Sequence, residues 1–240
     1  MRQSISFAII TATLAFTATA SAADPSTTPA ASNAGPESGL SFGLRTGYSL
    51  PLGKFQGDTT TTVGGTTTTV TGASLSDSVS GRIPIWVDAG YKINRNIYVG
   101  AFFQYGLMFV NTDKNPGCKA NGVSCSAHDI VIGVNAHYHI MPEAVFDPWV
   151  GLGFGYEIAG FSQSAGTQTV DSSAKGLQFV SFQAGGDYKV TPAFGIGPFL
   201  SFSLAQYSSF SSGNVSVDVT NTALHEWLTI GVRGVYDIAL

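Results

Sequence analysis

Charged residues are scarce in this chain of 240 residues. They make up only 11 % of the sequence, and the formal net charge is −4. Proteins that bind nucleic acid carry a basic patch or stripe, which this composition does not provide. We therefore expect no nucleic-acid partner.

Long hydrophobic runs are also missing. After residue 22 no apolar run approaches the 18 residues of a transmembrane helix. The apolar run near the N-terminus, from Ile5 to Phe16, lies between Arg2 and the small residues Ala20-Ser21-Ala22. This order predicts a secretory signal peptide over residues 1–22. Residues 23–39 are rich in Pro, Ser and Thr and lack periodicity, which predicts a flexible leader.

The chain has only two cysteines, Cys118 and Cys125, in a stretch rich in Gly, Asn and Ser. In an exported protein, two nearby cysteines indicate a disulfide. A zinc site would need more ligands than this stretch offers. We expect a local disulfide that stiffens a loop, and neither a metal nor a cofactor.

A pattern of alternating apolar residues around a tyrosine occurs four times. Its copies begin at Val87, Val134, Ala184 and Val232. The period of two is that of a strand, and the spacing near 50 residues indicates a repeated supersecondary unit. The repeated tyrosines lie on the apolar face, and we expect them to form an aromatic girdle at one rim: Tyr91, Tyr138, Tyr188 and Tyr236.

A second alternating segment precedes each copy, which gives eight predicted strands in four hairpins. The connections alternate between short ones, near residues 94–96, 141–146 and 191–192, and long polar ones, near residues 53–80, 111–127, 160–174 and 208–222. An even number of strands places both termini on the short-turn side. Short periplasmic turns and long external loops are typical of barrels in the bacterial outer membrane, so both termini are predicted to be periplasmic.

The face opposite the apolar one carries most of the charged side chains. In a soluble sandwich the apolar face would be the core and the charged face would meet water. A soluble all-β protein of that kind is the alternative. We predict an all-β fold: an eight-stranded antiparallel up-and-down transmembrane β-barrel, over residues 40–240, with a polar, charge-paired interior. The predicted interior cluster consists of Arg45, Arg82, Asp88, Lys92, Gln104, Asp129, His137, His139, Glu157, Asp187, Lys189, Arg233 and Asp237.

Three segments carry a family resemblance: FGLRTGYSLPLGKF, WVDAGYKINRNIYVGAFFQYG and TIGVRGVYDIAL. They resemble the small eight-stranded outer-membrane barrels of the outer-membrane-protein-A/X-like superfamily. The resemblance implies the same fold and contact with outer-membrane lipid and lipopolysaccharide. At the outer rim, Tyr48, Phe109, Tyr156 and Trp227 are the expected second girdle.

Local features add three expectations. The stretch TTTTVGGTTTTV, residues 59–70, favours a hairpin that turns at its two glycines and continues strands one and two; a mobile low-complexity loop is the alternative. Pro84 and Pro198 fall within strands, so we expect a bulge or a strand end at each. The interior glycines leave space that could hold water.

Function follows from the interior and the loops. Eight strands leave little free width, so the charges are interpreted as salt bridges and the lumen as a plug. We predict a non-catalytic monomer with a structural or surface-interaction role through its external loops. The alternative is a narrow channel for water or small solutes. A lipid-A-modifying barrel enzyme is third, with His128, Asp129, His225 and Glu226 toward the outer end but no nucleophile beside a base.

Overall fold

The computed structural model describes residues 35–213 and 215–240. The predicted signal peptide and most of the predicted leader lie outside these residues. Eight long strands form the body of the molecule: β1 (Gly39–Gly53), β4 (Val79–Lys92), β5 (Ile97–Val110), β6 (Val123–His139), β7 (Phe146–Ala165), β8 (Gln168–Lys189), β9 (Phe194–Ser212) and β11 (Leu224–Ala239). The short elements are β2 (Thr59–Val63), β3 (Thr66–Val70), helix α1 (Leu75–Ser78), a 3₁₀ turn (Pro116–Lys119) and β10 (Val215–Asp218).

The eight long strands close into a barrel. Each pairs antiparallel with its neighbours in the chain, and the last strand, β11, pairs with β1 in a continuous register from Gly39↔Ala239 to Gly53↔His225. Up-and-down order with closure leaves no open edge among these strands. The predicted eight-stranded antiparallel barrel is confirmed.

Burial alternates along the long strands, except in the outer parts of β7 and β8, and the buried charged residues lie inside. In β1, Arg45 is fully buried, whereas the neighbouring Leu44 is 59 % exposed. Ile132 of β6 and Ile230 of β11 are likewise 58 % and 65 % exposed. A soluble barrel would have the reverse arrangement, so the apolar outer face is suited to lipid. None of the helices in the described part of the chain has the length and hydropathy of a transmembrane helix.

The end of the barrel opposite the chain termini, called here the long-loop end, is more ordered than predicted. Residues 160–174 were expected to form a loop. Instead β7 and β8 stay paired as far as Ala165↔Gln168, and only a two-residue turn joins them. Strand β9 also runs past the expected limit and pairs with β10. The polar composition of this segment is typical of a loop, because its side chains do not face lipid. The backbone ladder nevertheless continues through it.

The Thr-rich stretch forms the expected hairpin, with pairs from Thr59↔Val70 to Val63↔Thr66. Gly64 and Gly65 both have positive φ, 58° and 80°, as a type I′ turn requires. The expectation that the hairpin continues the first two barrel strands is wrong. β2 and β3 form a separate two-stranded sheet, and α1 lies between β3 and β4.

The two prolines interrupt hydrogen bonding without ending their strands. Pro84 lies in β4, where the β1–β4 ladder has a gap between Thr46↔Ile85 and Ser49↔Arg82 with no change of register. Pro198 lies in β9 opposite a similar gap in the β8–β9 ladder. The expected bulge or strand end is therefore wrong at both positions. The missing N–H costs a ladder bond on one side only, and pairing with the other neighbour persists.

Candidate functional site

The centre of the barrel is held by a network around Arg45. Its Nε and Nη2 donate to the two carboxylate oxygens of Asp88 at 2.8 and 2.9 Å. Its Nη1 donates to Gln183 Oε1 at 2.6 Å, and Asn135 Nδ2 donates to Asp88 Oδ1 at 2.6 Å. The Arg45 guanidinium also lies 4.5 Å from the ring of Trp86. A buried charge is tolerated when it is paired and hydrogen-bonded in this way.

A second network lies nearer the long-loop end. Arg82 forms an ion pair with Asp129, and its guanidinium lies 4.0 Å from the ring of Trp227. Glu157, fully buried, accepts hydrogen bonds from Tyr207 Oη at 2.9 Å and from Trp227 Nε1 at 3.3 Å. These bonds satisfy one carboxylate oxygen. The other lies 3.2 Å from His225 Nε2.

A third network closes the short-turn end. Its buried ion pairs are Lys92–Asp237 and Arg233–Asp187, and His139 Nδ1 lies 2.8 Å from Asp147 Oδ2. The Arg233 guanidinium lies 4.5 Å from the ring of Trp149. In the three networks, charge pairs and aromatic rings from different strands span the lumen. This arrangement is that of a packed interior.

Interior glycines provide space for these side chains. A Cβ at Gly106 would contact Asp129, one at Gly43 would lie 2.9 Å from Asp88 Oδ2, and one at Gly185 would contact the ring of Trp149. Glycine on one strand thus accommodates a large side chain from its neighbour. At Gly43 and Gly106 the space expected to hold water is filled by protein.

The structure places twelve of the thirteen predicted interior residues in the buried lumen, with Lys189 half-buried at the short-turn rim. The four tyrosines of the predicted girdle are exposed on the outer face near the short turns. Trp227 was expected in the outer girdle, and this expectation is wrong. Its side chain is buried inside the barrel, because Trp227 lies an even number of residues from Arg233 on the same strand and therefore points to the same face. The sequence analysis missed Asp147, the partner of His139. Asp147 lies two residues from Trp149 on the same strand, so both side chains point into the barrel.

The histidines lie in separate surroundings within the described ranges. No group of three or more His, Cys, Asp or Glu residues there is arranged to hold a metal ion. His137 contacts Arg45 and Gln183. His128 is partly exposed and stacks on Tyr105 at 5.8 Å, whereas His225 is fully buried. The one hydrogen-bond partner of the His225 ring within the described chain is a carboxylate, whereas a nucleophile pair would need a hydroxyl or thiol.

The second long loop contains the predicted disulfide. Cys118, in the 3₁₀ turn, is bonded to Cys125 near the start of β6. Asn111 Nδ2 and Asn115 Nδ2 of the same loop donate to the carbonyls of Ser76 and Asp77 at 2.8 Å. The second loop thereby holds helix α1 of the first.

No protein-family model and no curated protein matches the chain. Solved structures do match it. Neisserial surface protein A (NspA) is 16 % identical, with 82 % of this chain and 97 % of that chain covered and a TM-score of 0.43. Ail, the attachment invasion locus protein of Yersinia pestis, is 13 % identical, covering 84 % and 99 %, with a TM-score of 0.40.

The outer membrane protease OmpT from Escherichia coli also matches, at 7 % identity, with 83 % of this chain and 97 % of that chain covered and a TM-score of 0.43. The three are a surface protein, an attachment invasion locus protein and a protease. The architecture of this chain is established by its own closed strand order and by its apolar outer face and charged interior. It has the fold of a small eight-stranded outer-membrane β-barrel.

Proposed function

We propose that the protein resides in the bacterial outer membrane, with both termini periplasmic, and acts through its long loops in a structural or surface-interaction role. It is a monomer in contact with membrane lipid and lipopolysaccharide, and it is not an enzyme. The observation that carries the proposal is the ordered structure of the long-loop end. Hairpin β2–β3, the extended hairpin β7–β8 and strand β10 all protrude there.

The surface of these protrusions suits contact with a partner. In hairpin β2–β3 all residues but Thr59 are exposed, and the side chains are those of Thr and Val. Hydroxyl pairs cross the hairpin between Thr60 and Thr69 at 3.3 Å and between Thr62 and Thr67 at 3.0 Å. A rigid scaffold that presents exposed loops is a common arrangement for binding. Uncharged hydroxyls offer hydrogen bonds to a polar polymer without electrostatic repulsion.

The packed lumen supports this role over the narrow channel. Arg45 lies between the rings of Trp86 and Trp149, at 4.5 and 5.5 Å, across the middle of the barrel. A conduit would need these groups to separate, at the cost of unpairing a buried charge. A planar-bilayer recording of the purified protein is expected to give no discrete conductance.

The orientation is tested by cysteine labelling of intact cells with a membrane-impermeant maleimide. Thr68 lies in the Thr-rich hairpin, and Glu143 lies in a short turn. Thr68→Cys is expected to be labelled on intact cells. Glu143→Cys is expected to be labelled only after the outer membrane is permeabilised, and the reverse result would contradict the proposed orientation.

The role is tested by two deletions, residues 59–70 and, separately, residues 119–124. Protein in lipid nanodiscs is tested for binding to immobilised lipopolysaccharide, and expressing cells are tested for aggregation. A Thr→Ser variant at positions 60, 62, 67 and 69 keeps the hydroxyls and is the control. We expect at least one deletion to reduce binding or aggregation while the control retains it. If both deletions match the intact protein, the surface-interaction role is wrong.

A further inference from the structure

A cavity lies at the long-loop end of the barrel. Its volume is about 250 Å³. Phe55 and Leu75 of the first long loop lie on its outer side, and Tyr207 of β9 lies on its inner side. The walls come from strands β4 to β9 and include Met108, Ala159 and Phe161. The cavity therefore occupies the mouth of the barrel, above the network around Glu157.

The chemistry of this cavity differs from that of its surroundings. The lumen below it carries paired charges, whereas none of the residues that line the cavity is Asp, Glu, Lys, Arg or His. Phe55, Met108, Phe161 and Phe210 are only half-buried, so part of their apolar surface can be reached. Water in such a space finds few polar partners and is held weakly. An apolar ligand that covers these side chains gains the hydrophobic contribution that water does not.

On the inner side of the cavity lies an aromatic ring that is itself buried, and no charged residue lines the cavity. Tyr207 stacks on His225 at 4.1 Å and contacts the ring of Phe55 at 5.2 Å. Its hydroxyl is engaged with Glu157. The ring is thereby fixed in position and is itself only 1 % exposed, so it closes the cavity on this side, and the apolar surface left for a ligand is that of the half-buried side chains.

The outer side is built in place. The amide of Phe55 donates to the carbonyl of Ala73 at 2.9 Å. Leu75 is buried against Val79, Ala127 and Trp227. The bonds from the second loop to the carbonyls of α1 hold the same segment from the other side. The loop segment that lines the cavity is therefore held by hydrogen bonds and packing, as in a preformed site.

We infer that this cavity binds a small uncharged apolar molecule of one to three rings or of comparable alicyclic size. Apolar cavities of about 150 Å³ hold benzene, and drug-sized ligands occupy about 300–1,000 Å³. Ligand sites of this kind are common in the mouths of β-barrels. The polar residues of the wall include Ser172 and Asn115, whose hydroxyl and amide already donate to protein carbonyls, which favours an apolar ligand over a polar one. The inference is independent of the surface-interaction role of the loops.

The test uses protein in lipid nanodiscs, titrated with the uncharged fluorophore N-phenyl-1-naphthylamine, with empty nanodiscs as background. Ala159→Phe and Ala174→Phe each fill the cavity. Ala184→Phe on the outer face of β8 is the matched control, because it adds the same side chain to the strand that carries Ala174. We expect saturable binding of one probe per chain by the intact protein and the control. Both filled variants are expected to bind about tenfold more weakly or worse.

Folding of each variant is checked by its heat-dependent mobility on a gel. Phe210→Ala is a further variant that enlarges the cavity instead of filling it. It is expected to retain binding. The anionic probe 8-anilinonaphthalene-1-sulfonate is expected to compete poorly, since no cation lines the site. The inference is overturned if folded filled variants bind like the control, if the signal only follows partition into lipid, or if the anionic probe binds equally well.

Discussion

Arg45 and Asp88 form a two-point ion pair inside the barrel, with Nε to Oδ2 at 2.8 Å and Nη2 to Oδ1 at 2.9 Å. The two residues lie on the neighbouring strands β1 and β4. Gly43 is the register partner of Asp88, so the carboxylate turns toward Arg45 without obstruction. Paired parallel bonds of this kind are stronger and more directional than a single contact. They join β1 and β4 from the inside, in addition to the backbone ladder.

Asp88→Asn is expected to destabilise the barrel strongly. The change keeps the side-chain volume but leaves the buried guanidinium of Arg45 without its counter-charge. Removal of one partner of a buried pair typically costs about 3–5 kcal/mol in the free energy of unfolding. Urea unfolding of the protein in lipid vesicles, followed by the heat-modifiable gel band, measures this loss.

Glu143→Gln is the control, because it removes an exposed pair. Glu143 accepts a hydrogen bond from Arg95 at 2.8 Å in a short turn, and both side chains are well exposed. Exposed pairs contribute about 1 kcal/mol or less. Equal losses for the two variants would show that the Arg45–Asp88 pair does not stabilise the barrel.

Gly106→Ala is expected to destabilise the barrel through overcrowding. The added Cβ would contact Asp129 and lie 3.1 Å from Arg82 Cδ, so the second ion-pair network would have to shift. Overpacking of this kind typically costs about 1–3 kcal/mol. At Gly234 on β11 the nearest atom to an added Cβ is 3.7 Å away. The same urea assay should show little loss for Gly234→Ala, and an equal loss at both positions would contradict the packed-lumen interpretation.

Loss of the disulfide is expected to loosen the second loop and to leave the barrel intact. Cys118→Ser with Cys125→Ser frees the 3₁₀ turn from β6, while the β5–β6 ladder starts at Met108↔Ala127 and keeps all its pairs. Trypsin should then cleave after Lys114 and Lys119 faster than in the intact protein, as mass spectrometry of the fragments can show. The gel shift on heating should stay. Its disappearance would mean that the bridge stabilises the barrel itself.

The fold was predictable because lipid and lumen differ in chemistry. The alternation of Val150, Leu152 and Phe154 with glycines predicts which side of β7 faces outward. In the structure these three side chains are exposed on the outer face. Trp227 was misplaced because a large aromatic residue suits a membrane girdle as well as a lumen. Inside, its ring packs beside the Arg82 guanidinium. Parity with Arg233 is the signal that would have placed it correctly.

The arrangement of the long-loop end was harder to predict. Beyond the membrane, both faces of a strand meet polar surroundings, so the alternation fades while the backbone ladder of β7 and β8 continues. The separation of the Thr-rich hairpin from the barrel depends on α1, where Leu75 is buried against Val79 and Trp227. One apolar residue within a polar segment gives no periodic pattern. The cavity beside Leu75 was not predictable for the same reason.

The first long loop is expected to loosen at acid pH through Asp58, which lies outside the barrel. Hydrogen bonds from Lys54 Nζ at 2.5 Å and from the Gly72 amide at 2.8 Å hold the pKa of Asp58 below its ordinary value of 3.8. A lowered folded-state pKa means that the contribution to stability is present above pH 3.8 and is lost as the pH falls through the folded-state value. These two bonds close the base of the Thr-rich hairpin.

Amide exchange of residues 59–72, corrected for the intrinsic pH dependence of exchange, measures this loosening. Protection of the Gly72 amide should fall as the pH is lowered through the acid range. Asp58→Asn should show reduced protection at neutral pH and little further change on acidification, because its side chain does not titrate. Protection in β1 and β11 should stay constant over the same range, since the barrel ladder contains none of these bonds. Equal pH profiles for the intact protein and Asp58→Asn would contradict the assignment to Asp58.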